Sequence, residues 1–481
     1  MHSPLLTAVL KSCNSYADKT ALVSGSQSVT YGQLKEMVFR AASFLKSEGL
    51  SKGDRIALSA RKELDFVYLY FAAHLLGIEN VVVDSESNAK KLDYMMGLTC
   101  PKALFGFAWK DVPSFSYENL DLSPLEASEL EEAVDKEDIA DIIFTTGTTG
   151  TPKGVCLSHW NIYSSAMNIN GFIGNADSDV EVLGLPLCHS FGLGRLRCTL
   201  IAGGTIVLLG SYANIKQFFS ALETYNATGF AMVPSVWAYI RKFSGTRIGK
   251  YAPQIKYIEI GSAAMPLESK QELCSLFPST RICMHYGLTE ASRAAFMEFH
   301  QNKDCLETIG RPVSKEVDIK IMDESGNPLP KLQTGEICVS GNMVMRTYFR
   351  PEENAGAFWG SYFRTGDMGY EGEDCNLYLV SRIKEIINVG GKKVSPSEVE
   401  DAIISLGVED CICVGVADPS GILGEVPKAY ILKGSPLSFE DIRKGLASEL
   451  ESYKIPAFFE WIDSIPKTSS GKKQRLSLKQ S

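Results

Sequence analysis

The sequence predicts an α/β protein: a large N-terminal domain of α/β layers on a largely parallel sheet, then a small α+β C-terminal domain. Three observations predict it. At 481 residues the chain exceeds what one core normally serves, since a domain takes roughly 100–200 residues. From Tyr31 to Ser262, helix-length amphipathic stretches alternate with short apolar runs of strand length, the pattern of layered α/β folds. Beyond about Ser381 the order changes to helix, two strands, helix and strand.

The stretch YGQLKEMVFRAASFLKSEG (31–49) sets Leu34, Val38, Ala41, Ala42 and Leu45 on one helical stripe, with Gly49 placed to cap it. DRIALSA reads as a strand, 62–76 as a helix closed by Gly77, and NVVVD as a strand. The apolar run FVYLYFAAHLLGI (66–78) carries His74 and falls short of the roughly 20 residues a bilayer requires, so it reads as a core helix. Strands are expected again at 204–210, 228–234 and 255–262. The acidic run at 125–138 reads as a solvated linker or helix face.

In the last hundred or so residues, VSPSEVEDAIISLG opens a helix with Ser395 and Glu398 as a capping box and Pro396 at its first position. Two strands, 408–418 and 426–434, lead to a second capped helix ended by Pro456 and then to AFFEWID. The domains expected are 1–380, a joint at 381–385, and 386–481. The end of the chain, IPKTSSGKKQRLSLKQS, is expected to be exposed and mobile.

Composition narrows the function. The chain is 45% hydrophobic and 22% charged, as in ordinary globular proteins. A formal net charge of −9 argues against nucleic acid as a partner. Twelve cysteines form no C-x-x-C pair, which predicts reduced thiols without disulfides or a zinc site. The closest pair, Cys411 and Cys413, is expected on opposite faces of a strand. The N-terminus lacks a basic, apolar leader. No transmembrane segment is read, and the expected compartment is the cytoplasm.

The most informative stretch is TTGTTGTPKG (145–154), fed by the apolar run Ile142–Phe144. Gly147, Gly150 and Gly154 permit positive φ and close approach. Thr145, Thr146, Thr148 and Thr149 add hydroxyls, and Lys153 adds a cation. Backbone N–H groups with these donors make a concavity suited to polyphosphate. It is not the G-x-x-x-x-G-K-[ST] loop, because Pro152 precedes the lysine and Gly154 follows it.

Four more motifs follow in order: YGLTEAS (286–292), FRTGDMGY (363–370), SRIKEIINVGGKKVSPSEVE (381–400) and PKTSSGKKQR (466–475). Together with the first they resemble the adenylate-forming (AMP-binding) superfamily, nearest its acyl-CoA synthetases. The likeness runs from about Tyr31 to Arg475. It implies a large multi-layer domain with mixed sheets and a small mobile α+β domain carrying a catalytic lysine. It also implies the reaction: a carboxylate attacks the α-phosphate of ATP, pyrophosphate leaves, and a thiol takes the acyl group.

The resemblance implies roles residue by residue. Thr145 to Gly150 and Lys153 would hold the β- and γ-phosphates. Thr289 would meet the α-phosphate and Glu290 would bind Mg²⁺, a hard cation suited to carboxylate oxygens. Tyr286 and Gly287 would lie beside the nucleotide, as would Gly261, Ser262 and Ala263 of IEIGSAAMP. Asp367 and Arg382 would contact the ribose, with Lys384 at the hinge. Lys472 would bridge the carboxylate and the α-phosphate. The following residue, usually branched and apolar in the family, is here Lys473. Gly390 and Gly391 would let a pantetheine arm pass, with Lys392 and Lys393 facing CoA phosphates or an acidic carrier surface.

The stretch LPLCHSFGL (185–193) resembles the acyl-pocket motif of acyl-CoA synthetases. Amino-acid-activating members place an aspartate there; this chain offers Ser190, Phe191 and Gly192. A buried ammonium without a partner is costly, so the acid expected lacks an α-amine and is fatty or aryl. His189 gates or stacks in the pocket, or is a buried structural histidine. Val233 and Trp237 are expected as walls, with Leu288 beside them. The cofactors implied are ATP, Mg²⁺ and CoA. A phosphopantetheine carrier protein stands as the alternative acceptor, and a non-catalytic nucleotide-binding regulator as a further reading.

Overall fold

A computed structural model describes residues 3–120, 122, 133–146, 152–389, 392–419, 423–468 and 471–479. The chain forms two compact units, Met1–Asp318 with Val339–Phe363, and Ile319–Cys338 with Arg364–Ser481. The expected joint at 381–385 lies inside the second unit. Leu377–Arg382 is paired antiparallel with Tyr362–Glu371, so the strands ahead of the joint group with the C-terminal segment.

The first unit holds a nine-stranded and a seven-stranded sheet. Six central strands of the former run parallel: Thr20–Ser24, Thr205–Leu208, Val180–Leu183, Gly229–Met232, Tyr257–Ile260 and Arg281–Tyr286. Antiparallel strands close both edges. In the seven-stranded sheet Ile139–Thr146 joins Glu79–Val83 in parallel and pairs antiparallel with Pro152–Ser158. Mixed sheets are therefore present; the parallel pattern read from alternation holds for the sheet centres.

Helix Leu64–Leu76 is buried all round except at Asp65, and Gly77 ends it in the left-handed conformation at φ 66°. It starts two residues later than the spacing predicts. Among the described residues, no helix is long and apolar enough to cross a membrane.

Helix Ser190–Ala202 joins the two layers. Arg195 and Arg197 are two positions apart, about 200° around a helix, so they leave by opposite faces. Arg195 is bidentate on Glu181 of the nine-stranded sheet, at 2.9 and 2.6 Å. Arg197 donates to Asp141 of the seven-stranded sheet and, at 2.8 Å, to the Tyr70 hydroxyl. Buried charges persist only when paired in this way.

In the second unit, helices Pro396–Ser405 and Phe439–Glu449 accompany the three-stranded sheet Cys411–Ala417, Glu425–Leu432 and Phe458–Ile462. Ser438 and Asp441 form a capping box. The one expected at Ser395 and Glu398 does not form. Ser395 Oγ instead donates to the Val380 carbonyl at 3.0 Å, and Glu398 is ion-paired with Lys454 at 2.6 Å. Cys411 and Cys413 do not face opposite ways: side chains two apart on a strand share a face, and both sit in one apolar cluster with Val399, Ile403 and Ile431. All twelve cysteines are free thiols.

Candidate active site

The strands on either side of the glycine–threonine stretch, Ile139–Thr146 and Pro152–Ser158, pair antiparallel. Thr145 pairs with Lys153 and Thr146 with Pro152. Gly147, Thr148, Thr149 and Gly150 fall outside the described residues, as does the Thr146 side chain. Gly154 sits in the returning strand Pro152–Ser158 and uses the close approach that glycine permits: a Cβ there would come within 3.0 Å of Phe349 Cβ.

Phe349 belongs to a segment that the sequence reading passed over. Residues 344–349 run beside the hairpin and beside YGLTEAS. Phe349 N–H donates to the Gly154 carbonyl at 2.7 Å, and Thr347–Tyr348 pairs antiparallel with Cys156 and Val155. Val344 bridges Ala291, and Met345 N–H donates to the Glu290 carbonyl at 2.7 Å. The Tyr348 side chain completes the connection. Its hydroxyl donates to Glu290 Oε1 at 2.9 Å, and Lys153 Nζ lies 4.4 Å from its ring centroid. Burial, with the Glu290 charge next, pushes the Tyr348 phenol pKa upward, so the hydroxyl stays protonated and donating.

Glu290 is buried, while Thr289, Leu288 and Gly287 are half-buried. A carboxylate offers about four lone-pair sites, so accepting from Tyr348 leaves Glu290 capacity for a hard cation. Tyr286 ends the strand Arg281–Tyr286 and is buried. Ser262 stands at φ 72°, two residues past the strand Tyr257–Ile260. Such a conformation is uncommon for a side-chain-bearing residue and tends to mark functional turns. Gly261 lets His285 pack close: a Cβ there would fall 2.0 Å from His285 Cε1.

His189, Ser190 and Phe191 form the start of helix Ser190–Ala202, with His189 at the N-cap. Phe191 meets His285 edge to face at 4.6 Å. Arg293, one residue past YGLTEAS, fixes this turn. It donates to the carbonyls of Ser190 at 2.8 Å and Phe191 at 2.9 Å, and to Glu259 Oε1 at 3.2 Å. Burial alone would raise the Glu259 pKa, but Arg293 leads the groups that hold it well below the carboxylate range. A Cβ on Gly194 would fall 2.6 Å from the Arg293 guanidinium, so the helix can approach the arginine only as glycine.

The motif read as lacking an acid acquires one in three dimensions. Donor atoms of Asp84, Cys188 and His189 lie within 4.8 Å of one another. Burial, then Asp84, pushes the Cys188 thiol up to about 12. Val233 caps helix Pro234–Ser244 and Trp237 is buried within it. The Trp237 indole nitrogen has no hydrogen-bond partner among the described residues.

The second unit carries the remaining expected residues. Asp367 and Arg382 face each other across paired strands, Nε to Oδ1 3.0 Å. Lys384 lies in the turn Ile383–Glu385; its side chain, and Gly390 and Gly391, lie outside the described residues. Lys392 Nζ rests 4.4 Å from the Tyr453 ring centroid. Lys472 N–H donates to Thr468 Oγ1 at 3.1 Å, and its carbonyl accepts from Thr468 N–H at 2.8 Å. The neighbouring Lys473 is committed elsewhere, at 2.9 Å to Glu400 and 3.1 Å to Asp410.

The AMP-binding enzyme family matches residues 9–349, and the AMP-binding enzyme C-terminal domain matches 398–472. A 2-succinylbenzoate–CoA ligase of Bacillus velezensis is 30% identical, over 96% of this chain and 95% of its own. 4-Coumarate–CoA ligase 2 of Petroselinum crispum is 27% identical, over 99% and 94%. The solved o-succinylbenzoate CoA synthetase of Bacillus subtilis, in complex with its acyl-adenylate intermediate, superposes with a TM-score of 0.90 at 27% identity, covering 98% of each chain. The same enzyme is also solved with ATP and magnesium ion, at TM-score 0.87 and 26% identity, covering 98% of this chain and 99% of that one. Motifs, fold and relatives agree: this chain belongs to the AMP-binding enzyme family, the adenylate-forming superfamily, among its acid–thiol ligases of the acyl-CoA synthetase type.

Proposed function

We propose that this protein activates an aryl or fatty carboxylic acid with ATP, releasing pyrophosphate and forming the acyl-adenylate, and then transfers the acyl group to CoA. The observation that carries the reading is the meeting of Lys153 and Glu290 on Tyr348. A cation for phosphate and a carboxylate for metal are drawn to one place from separate motifs. Lys153, with the loop it closes, would hold the departing pyrophosphate. Thr289 would hold the α-phosphate oxygens, and Asp367 with Arg382 the ribose. Glu290 would hold Mg²⁺, which supplies charge neutralisation at the phosphates. Lys472 would sit against both reacting anions, where a preorganised cation acts on charge as it spreads. Residues 381–385 would serve as the hinge, with Gly390 and Gly391 beside the thiol arm.

With Asp84 beside His189, the lack of a carboxylate within the motif no longer excludes an ammonium group, and the relatives acting on succinylbenzoate and coumarate favour an aryl acid. The unpartnered indole N–H of Trp237 suits an oxygen on the acyl group. Free CoA is the acceptor favoured over a carrier protein, since the relatives are CoA ligases. Twelve free thiols favour the cytoplasm. The test is pyrophosphate release across aryl, short-chain, long-chain and amino acids, followed by AMP release with CoA and with a phosphopantetheine-loaded carrier. Aryl or fatty turnover with CoA is expected. Turnover restricted to amino acids, or to the carrier, would overturn the substrate or the acceptor.

A further inference from the structure

We infer that Tyr348 is a positioning residue that holds the metal carboxylate and the phosphate lysine in one geometry. The inference rests on the roles proposed above for Glu290 and Lys153. Three relationships carry it. The Tyr348 hydroxyl donates to Glu290 Oε1 at 2.9 Å. Its ring receives the Lys153 ammonium at 4.4 Å from the centroid. Its backbone is fixed independently, by pairing with Val155 and by an N–H bond to Asn354 Oδ1 at 2.9 Å.

These contacts divide the side chain into two functions. The hydroxyl aims one carboxylate oxygen and leaves the other acceptor positions of Glu290 for the cation. The ring face attracts an ammonium, sets the direction of Lys153, and keeps it from collapsing onto Glu290. A direct Lys153–Glu290 ion pair would neutralise the two charges that nucleotide and metal require. A neutral aromatic ring between them keeps both available. Tyrosine satisfies both needs; phenylalanine satisfies only the second, and an aliphatic side chain neither.

The test separates the two halves. Wild type, Tyr348→Phe and Tyr348→Leu are titrated with a fluorescent ATP analogue at a series of Mg²⁺ concentrations. Mn²⁺ binding to the ATP complex is followed by electron paramagnetic resonance, and thermal unfolding is recorded in parallel. In Tyr348→Phe the Mn²⁺ dissociation constant is expected to rise about ten-fold, the usual scale for losing a residue that orients a metal ligand. Its nucleotide affinity at saturating metal should be unchanged. Tyr348→Leu should show the same metal defect and a further loss of about three-fold in nucleotide affinity at saturating metal, from the lost cation–π contact. Metal binding in Tyr348→Phe equal to wild type, with the same unfolding temperature, overturns the inference and leaves the activity untouched. Wild type that binds the nucleotide without any metal dependence overturns the role of Glu290, and the inference with it. Should Tyr348→Leu fail to fold, the Tyr348→Phe titration alone decides.

Discussion

Lys473 donates its ammonium to Glu400 at 2.9 Å, and Arg475 holds the same carboxylate through two bonds at 2.9 and 2.8 Å. Arg475 also reaches Glu385 at 2.6 Å. Burial would lower the Lys473 pKa, but Glu400 and Asp410 outweigh it and raise it. Lys473 is therefore part of the scaffold of the second unit.

That role is measurable. Lys472→Ala should reduce carboxylate-dependent ATP–pyrophosphate exchange by about a hundred-fold or more. Lys473→Ala should destabilise the protein by about 2 kcal/mol, because Glu400 and Asp410 lose a half-buried partner. Reversed outcomes, seen in exchange assays and thermal denaturation, would transfer the catalytic role to Lys473.

The Asp367–Arg382 pair makes a prediction about the ribose. Asp367→Ala should raise KM for ATP about ten-fold, as expected for a lost charge-assisted hydrogen bond, and leave KM for the acid nearly unchanged. Wild type should disfavour deoxy-ATP analogues, and the variant should accept ATP and the analogues alike. Undiminished discrimination by Asp367→Ala would remove the ribose from its role.

Arg293 predicts a split in the other direction. Lysine keeps the charge but cannot span two carbonyls and Glu259 with a planar fork. Arg293→Lys should loosen the turn at Ser190 and Phe191 and raise KM for the acid about ten-fold, with a smaller effect on KM for ATP. Steady-state kinetics with each substrate varied in turn decides it.

A buried pair of histidines predicts acid sensitivity. His74 Nδ1 and His159 Nδ1 are 3.2 Å apart, beside Asp141. Burial, then the His74 charge, lowers His159 to about 3, and burial leads the lowering of His74. Both folded values lie below the unfolded value near 6.5, so below that pH the unfolded chain binds more protons. Stability should be intact above pH 6.5 and fall as pH drops towards 3. For His159 alone the loss at pH 5 is on the order of 2 kcal/mol. Asp141, held at about 2 against burial by Arg197 and His74, extends the loss below the unfolded carboxylate range. Denaturant melts of His159→Gln should show a shallower slope between pH 6.5 and 5; an unaltered slope would mean that His159 is not the titrating group.

The sequence by itself determined the fold class, the order of the motifs and the family. Those features are local: a 3.6-residue period buries one stripe of helix 31–47, and glycine and threonine cluster in the stretch TTGTTGTPKG. The tertiary structure alone decided how those residues are held. Tyr348 lies 58 positions from Glu290, and Arg293 lies 103 positions from Ser190. Asp84, one residue past the strand Glu79–Val83, comes beside Cys188 and His189. No periodicity encodes such partners. They are chosen when separate sheets and loops pack, because a buried charge or hydroxyl must find whatever group the fold brings within hydrogen-bond reach.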